Sequence, residues 1–427
     1  MVSKAFHLKD SANFIEKALH WANRFDSVCY LDSNGYRDNH GQINVFIAVG
    51  EEQAFVATED SDAFRGIQTF IDAHQDAWVP GFLAYDLKNQ LEPSLRTRED
   101  NRTDMPDAYF FLPRYTLLIG QHNVEIRADE PDEAMKEIYD TSTKNDNNPV
   151  FHGEIMHRMS KPAYMDAFAR IQNHLRQGDC YEINLCQEFY AEQATIDPLS
   201  LYQRLNKLSP TPFSSYFKFR DHYILSASPE RFLSKNGNTL ISQPIKGTAR
   251  RGKTKVEDEL LKNELATNSK EISENIMIVD LVRNDLTRSA VPGTVRTTEL
   301  AKAYTFNQVH QLISTITCQV DPSIKPSQAI AHAFPPGSMT GAPKIRAMEI
   351  IDECENSRRG VYSGALGYFS PQGSFDFSVV IRTLLYNAKT EYLSFHTGGA
   401  ITLESDSEQE YHECLLKGKA LFEVLKG

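Results

Sequence analysis

The sequence predicts an α+β fold built on antiparallel sheets. Strand-like and helix-like segments come in blocks, without the strict alternation of a doubly wound sheet. The strand blocks are punctuated by turn signals at Asn236-Gly237-Asn238, Pro371-Gln372-Gly373 and Asn387, where chains reverse into neighbouring strands. Helical stretches carry their own start and stop residues. Hydrophobic residues make up 41% of the 427 and charged residues 24%, with Gly 22 and Pro 19, which excludes a disordered, collagen-like or coiled-coil chain.

In chain order, the apolar run PGFLAYDL is followed by a charged loop over roughly 92–107 and by the strand-like AYFFLPRYTLLI. The polar stretch TSTKNDNNP, Thr141 to Pro149, has no apolar residue and reads as a linker. It divides an N-terminal region, 1–148, folded against the core, from a longer region, 149–427. Ser160 caps a helix with Pro162 in its first turn, Tyr164, Phe168, Ile171 and Leu175 on one side, and Gly178 as its stop. YEINLCQEFY alternates, with Tyr181, Ile183 and Leu185 on one face and Glu182, Asn184 and Cys186 on the other. YILSAS and TLISQPI read as adjacent strands about the Asn236 turn. One helical stretch runs from about Val256 to Thr287, and another helix begins near Pro343. GVYSGALGYF, FDFSVVIRTLLY and EYLSFHT are strands, and a last helix runs from Ser407 to the C-terminus.

Lys+Arg 45 against Asp+Glu 57 gives a net charge of −12, which argues against a general binder of nucleic acid or anionic membrane. Such a surface also repels anionic metabolites unless a local site inverts the sign. The six scattered cysteines form no C-x-x-C pair, MVSKAFHLKD lacks a secretory apolar core, and no eighteen apolar residues run together. A soluble, cytoplasmic protein is expected.

Several residues stand out chemically. Glu230 in SASPERF follows a β-forming segment, where an arbitrary glutamate is most often a solvated charge. Lys246 in QPIKGTARRG sits beside Gly247, which permits close approach, and near Arg250 and Arg251, whose charges would lower its pKa and favour a nucleophile. Glu271, Glu274 and Asp285 lie on a helix apolar most of the way round, so each needs a partner; Lys270 and Arg283 are the local candidates. Ser407 and Glu410 form the S-x-x-E of a capping box. Glu410, Glu413 and Lys417 nevertheless share one helix face, and carboxylates there with Glu274 would suit Mg²⁺, which takes one or two and completes its shell with water and an anionic ligand. Arg382 interrupts the apolar run 377–385 and needs a carboxylate from the protein or a ligand. PPGSMTGAPKIRAMEII feeds a Gly-rich loop into a helix, a weak anion-site signal. HTGGAI brings bare backbone to the last segment, and His310 in QVHQLIS reads as a satisfied helix histidine. The residues alone point to a Mg²⁺-dependent enzyme acting on a small polycarboxylate.

Taken together, GDCYEINL, SASPERF, PIKGT, IVDLVRNDL, GSMTGAPKIRAMEII, RRGVYSGALGYF, VVIRT and TGGAIT with its E-Y-x-E resemble, in order, the motifs of the chorismate-utilising enzymes. The match runs from roughly Ser160 to the C-terminus, with a weaker echo at GFLAYDLKN. The resemblance implies two antiparallel sheets packed as a sandwich and surrounded by helices, as in the component I of anthranilate synthase. It implies Mg²⁺ on Glu274 and Glu413, with Glu410 acting through water. It implies substrate contacts from Thr248, Thr340, Gly341, Tyr362, Arg382, Gly398, Gly399 and Lys417. Glu230 is similar to the general acid that assists departure of the ring hydroxyl, and His310 to its neighbour there.

Lys246 separates the subfamilies. Members that aminate chorismate at C4 have Lys in this motif, whereas anthranilate- and isochorismate-forming members have Ala. The resemblance thus implies attack of Lys246 at C2 with loss of the 4-hydroxyl, displacement by ammonia at C4, and 4-amino-4-deoxychorismate as the product, a precursor of 4-aminobenzoate and folate. A component I making anthranilate is the alternative, and a non-catalytic chorismate- or partner-binding protein the second. Glu182 replaces the Gln of amidotransferase-linked members and the Lys of water-using ones. No L-L-E-S tryptophan motif and no G-x-C-x-G glutaminase segment are present, so the resemblance implies a separate glutaminase subunit that supplies ammonia from an amide.

Overall fold

A computed structural model describes residues 1–36, 40–41, 43–57, 61–95, 100–143, 151–307 and 309–426. The expected boundary near residue 148 lies outside the described residues, as do most of the linker and part of the 92–107 loop.

Among the described residues every strand pairing is antiparallel, and twenty strands join one continuous ladder. It bends into two layers through two long strands, Val45–Ala57 and Ala108–Ile119, which pair along their length with a register shift between Glu51 and Gln53. A bulge of this kind turns a sheet sharply. One layer continues through Ser27–Asp32, Phe213–Phe219, His222–Ser228, Thr383–Asn387, Tyr392–Ile401 and Glu182–Ala191. The other continues through Val79–Leu83, Ala365–Phe369, Phe375–Val379, Arg231–Asn236, Thr239–Gln243 and Val309–Gln319, which also carries Ile245–Arg250 and Arg296–Thr305.

The period-2 alternation of the strands sorts side chains between separate cores. Val28 and Tyr30 face one helical layer, while Cys29 between them joins Phe46, Phe82, Phe217 and Leu366 in the space between the sheets. There Phe82 meets Phe217 at 5.6 Å and Tyr109 stacks on Phe219 at 4.7 Å between ring centroids. Helices Ser11–Ala22, Pro131–Asp140 and Pro198–Leu208 cover the outer face of the first layer; Ala63–Ala73 and Ser269–Thr287 cover the second. The α+β sandwich is the expected one, with the two sheets hydrogen-bonded to each other. No helix among the described residues is long and apolar enough to cross a membrane, and all six cysteines are buried free thiols.

The Ser160 helix forms as the sequence predicts: Ser160 accepts from the Ala163 N–H, and Gly178, at φ +79°, ends it in the left-handed conformation that glycine adopts without strain. Elsewhere the structure divides what the sequence joins. The 256–287 stretch is two helices, Lys255–Thr267 and Ser269–Thr287, because the Asn268 side chain accepts from the Lys270 and Glu271 N–H groups and starts a new helix. The last helix breaks at Gly418 into Ser407–Lys417 and Lys419–Leu425. FDFSVVIRTLLY is two strands, since the chain leaves one sheet at Val379 and enters the other at Thr383. GVYSGALGYF is a strand only over Ala365–Phe369; residues before it form a turn with Gly360 and Ser363 at positive φ. YILSAS pairs with Phe213–Phe219 and Thr383–Asn387, and it is Arg231–Asn236 that makes the Asn236 hairpin with Thr239–Gln243.

Candidate active site

The far ends of the two layers converge. Glu182, at the start of Glu182–Ala191 in one layer, accepts a hydrogen bond from Lys246 Nζ on Ile245–Arg250 in the other at 2.5 Å. Helix Ser269–Thr287 packs over Ile245–Arg250 and helix Ser407–Lys417 over Tyr392–Ile401, so each brings one charged face to this junction. The third wall is the 337–342 segment, whose Gly341 and Ala342 pair with Ile183 and Glu182. Gly341 is required there: at φ +149° an added Cβ would lie 2.1 Å from the Glu182 carbonyl oxygen.

Lys246 is not a surface charge. Burial lowers its pKa, but Glu182, with Glu274 and Glu230 further off, outweighs burial and the net shift is upward. The sequence expectation of a lysine lowered by Arg250 and Arg251 is therefore corrected. Arg250 pairs with Glu257 and Arg251 with Asp258, so their charges are spent on the neighbouring helix.

Glu230 is 5% exposed, in the short connection between strands His222–Ser228 and Arg231–Asn236. Burial raises its carboxyl to about 7, against the opposing influences of Ser338, Lys246 and the Ile245 N–H. The Ser338 hydroxyl lies within reach but makes no hydrogen bond of good geometry in this conformation. Glu230, Ser338, Pro244 and Asp285 line one small cavity. A buried acid half-protonated near neutrality is suited to donate a proton.

The carboxylates of the two helices face one another. Burial raises Glu274 to about 7, with the Lys246 charge opposing. Glu271, which the sequence left without a role, is raised by burial and by Glu413, and its Oε2 lies 2.9 Å from where a Cβ on Gly247 would sit. Glu410 is buried and raised, with Ser405 Oγ donating to it at 2.7 Å. Lys417, 2.8 Å away, lowers Glu413. The capping box does not form: Asp406 caps this helix, accepting from the Gln409 N–H, because the turn enters one residue earlier than S-x-x-E requires. Lys270 lies 3.8 Å from Glu274, whereas Asp285 pairs with Lys344 at 2.7 Å instead of Lys270 or Arg283. Lys344 also donates to the Ala333 and Pro335 carbonyls, which fixes the 337–342 wall.

Among the described residues, six carboxylates thus surround the junction (Glu182, Glu230, Glu271, Glu274, Glu410, Glu413), with Lys246, Lys270, Lys417 and Arg382 as the cations facing them. Hard oxygen donors in excess over cations fit a divalent ion of the Mg²⁺ type. Among the described residues no three His, Cys, Asp or Glu side chains converge into a preformed cage. The arrangement fits an ion held by one or two carboxylates, with water and an anionic ligand completing its shell.

Arg382 lies at the corner where the chain crosses between sheets, at φ +54°, not within a strand. It has no ion-pair partner among the described residues; Tyr362 and Glu413 are the groups facing it, and burial lowers its pKa. A guanidinium so placed is ready for a ligand carboxylate. Of the two glycines in HTGGAI, Gly399 opens toward the site: a Cβ there would lie 3.3 Å from Glu410 Oε2 and 3.5 Å from Lys417 Nζ. Gly398 instead faces Leu185 and Cys186, where a Cβ would come within 2.3 Å of a backbone oxygen.

Other expected contacts sit differently. Thr248 is exposed on Ile245–Arg250. Thr340 is buried, its hydroxyl donating to the Gly337 carbonyl at 3.1 Å. Tyr362 is buried and stacked on His396. His310 is on strand Val309–Gln319 and not on a helix. Both its ring nitrogens are engaged, Nδ1 with Thr305 at 3.0 Å and Nε2 with Asp258 at 2.9 Å.

The profile of the family described as chorismate binding enzyme matches residues 26–423. The aminodeoxychorismate synthase component 1 of Klebsiella aerogenes is 35% identical over 349 residues, 81% of this chain and 76% of that one. The anthranilate synthase component 1 of Thermus thermophilus is 33% identical over 363 residues, 82% of this chain and 77% of that one. In fold, the chain resembles the crystal structure of anthranilate synthase component I from Streptococcus pneumoniae, with a TM-score of 0.78, 24% identity and coverage of 90% of this chain and 95% of that one.

Proposed function

The chain belongs to the chorismate-binding enzyme family, and from that premise we propose that it is the synthase subunit that converts chorismate and ammonia to 4-amino-4-deoxychorismate. The observation that carries this reading is Lys246, its side chain only 10% exposed at the junction of the sheets among the carboxylates. A primary amine in that position can form a covalent bond with a ring carbon, which a chain with alanine there cannot do. The relatives named aminodeoxychorismate synthase component 1 support it at 35% identity or more.

Arg382 and Lys417, with the backbone at Gly399, hold the two carboxylates of chorismate and set the ring against Lys246. Nζ bonds to C2, the ring double bonds shift, and the C4–O bond breaks with its electron pair on oxygen. Glu230 gives its proton to that oxygen, so water leaves. Ammonia then bonds to C4, the double bonds shift back, the C2–Nζ bond breaks, and Glu230 takes the surplus proton from the new amine. Glu274 and Glu413, with Glu410 through water, would hold Mg²⁺, which when bound supplies positive charge to the substrate carboxylate and offsets the excess of glutamates. His310, held by Asp258 and Thr305, takes a supporting place beside the reacting edge.

Ammonia comes from a separate glutaminase subunit, in the cytoplasm, and the 1–148 region folds against the 149–427 catalytic region. Incubation of the purified chain with chorismate, Mg²⁺ and ammonium salt tests the proposal. Aminodeoxychorismate is the expected product. Anthranilate and pyruvate would replace this reading with 2-amination, and no turnover even with a glutaminase present would leave a binding protein.

A further inference from the structure

Glu182 stands where the resemblance leads one to expect Gln, and its surroundings are unusual for a carboxylate. It is 1% exposed, its Oε1 is 2.5 Å from Lys246 Nζ, and its Oε2 is buried with no hydrogen-bond partner among the described residues. The main chain holds it through the Ala342 pairing, and from the next residue, Ile183, its strand continues as the long ladder with Tyr392–Ile401. A buried carboxylate normally fills its lone pairs with donors, so one left half-satisfied has spare capacity for a proton.

We propose that Glu182 is the catalytic proton acceptor that activates Lys246 for attack on the substrate ring. This rests on the reading of Lys246 as the nucleophile. The resting pair is an ammonium and a carboxylate. The proton crosses the existing hydrogen bond from Nζ to Oε1, leaving a neutral amine and a neutral acid, so no net charge is created in the buried site. The amine lone pair forms the bond to C2, and Nζ becomes a secondary ammonium. When ammonia displaces the lysine, the C2–Nζ electron pair returns to nitrogen, and Glu182 gives its proton back. Glutamine in this position would hydrogen-bond the amine without taking its proton, and the lysine would have to lose that proton to solvent before attack. The charged groups facing Lys246 are Glu182 from its strand, Glu271 and Glu274 from helix Ser269–Thr287, Glu230 from the connection before Arg231 and Glu413 from helix Ser407–Lys417. Of these only Glu182 touches Nζ.

The test is a single turnover of the full chain with chorismate and Mg²⁺ but no ammonium, following the Lys246 adduct by intact-protein mass spectrometry across pH. The wild-type chain accumulates an adduct of substrate less one water. Glu182→Gln forms it about 100-fold more slowly near neutrality, at a rate that climbs as pH rises. Glu182→Asp, which keeps the acid, recovers part of the rate. Chorismate binding, read by fluorescence, is unchanged in Glu182→Gln, which separates proton transfer from folding. An adduct forming in Glu182→Gln at the wild-type rate with the wild-type pH profile overturns the role of Glu182. Full 4-amination by Lys246→Ala, with no adduct in the wild-type chain, overturns the nucleophile reading, and the role of Glu182 falls with it.

Discussion

Replacing Glu230 with Gln should make the protein less active and, in alkaline solution, more stable. Burial holds the Glu230 carboxyl at about 7, against 4.5 for an ordinary glutamate. Between those values the unfolded chain has lost this proton and the folded chain has kept it. The folded state binds the extra proton, so this group's contribution to stability falls as pH rises through the window. At about 1.4 kcal/mol per pKa unit, the full decline is about 3.5 kcal/mol, most of it falling between about pH 4.5 and pH 8.5. Glutamine has the same shape and no charge, so Glu230→Gln lacks the decline. Urea unfolding of both proteins at about pH 4.5 and about pH 8.5 reads it directly, since every other titrating group cancels in the difference between them. The variant should gain roughly 2–3 kcal/mol relative to wild type between the two conditions. Over the same range its turnover should be about 100-fold to 10,000-fold lower near neutrality, because the departing oxygen has no acid. Wild-type turnover should also decline above about pH 7 as Glu230 loses its proton. A Glu-to-Gln stability difference that does not change with pH would refute the raised carboxyl, and undiminished turnover would refute the acid.

Arg382→Gln removes a guanidinium with no ion-pair partner among the described residues, so stability should hold while KM for chorismate rises about 10-fold to 100-fold, as expected for a lost charge-assisted pair; steady-state kinetics and a melting curve distinguish the two. Gly399→Ala places a methyl 3.3 Å from Glu410 and 3.5 Å from Lys417, and should raise KM with little change in Tm, whereas Gly398→Ala meets backbone at 2.3 Å and should lower Tm by several degrees. Glu274→Gln should weaken Mg²⁺ binding, seen as a rise in the Mg²⁺ concentration for half-maximal rate. Lys246→Ala leaves Glu182 buried without its cation, and should lower stability by about 3 kcal/mol at neutral pH while abolishing 4-amination.

Much of this was legible in the chain. Ser160 and Gly178 bound a helix because capping and left-handed φ are local properties that a few residues settle. The Asn236 hairpin is local in the same sense, and eight ordered motifs pointed to the family and with it the sandwich. Four boundaries were misplaced, at Asn268, Gly418, 360–364 and 380–382. At Asn268 and Gly418 the break depends on one residue ending or restarting a hydrogen-bond ladder, and at 380–382 the chain changes sheets while its side chains remain apolar. Apolar periodicity carries no record of such a crossing.

The sequence by itself determined that the chain carries carboxylates, a lysine in PIKGT and an arginine in VVIRT, since identity and order are properties of the chain. Only the tertiary structure decided how they are charged. Glu182 and Lys246 are far apart in sequence and 2.5 Å apart in space, and that contact raises a lysine whose neighbouring arginines suggested the opposite. Glu230 and Glu274 reach about 7 because folding removes them from water. Electrostatic energy depends on distance and on the surrounding dielectric, and both are set by which strands meet.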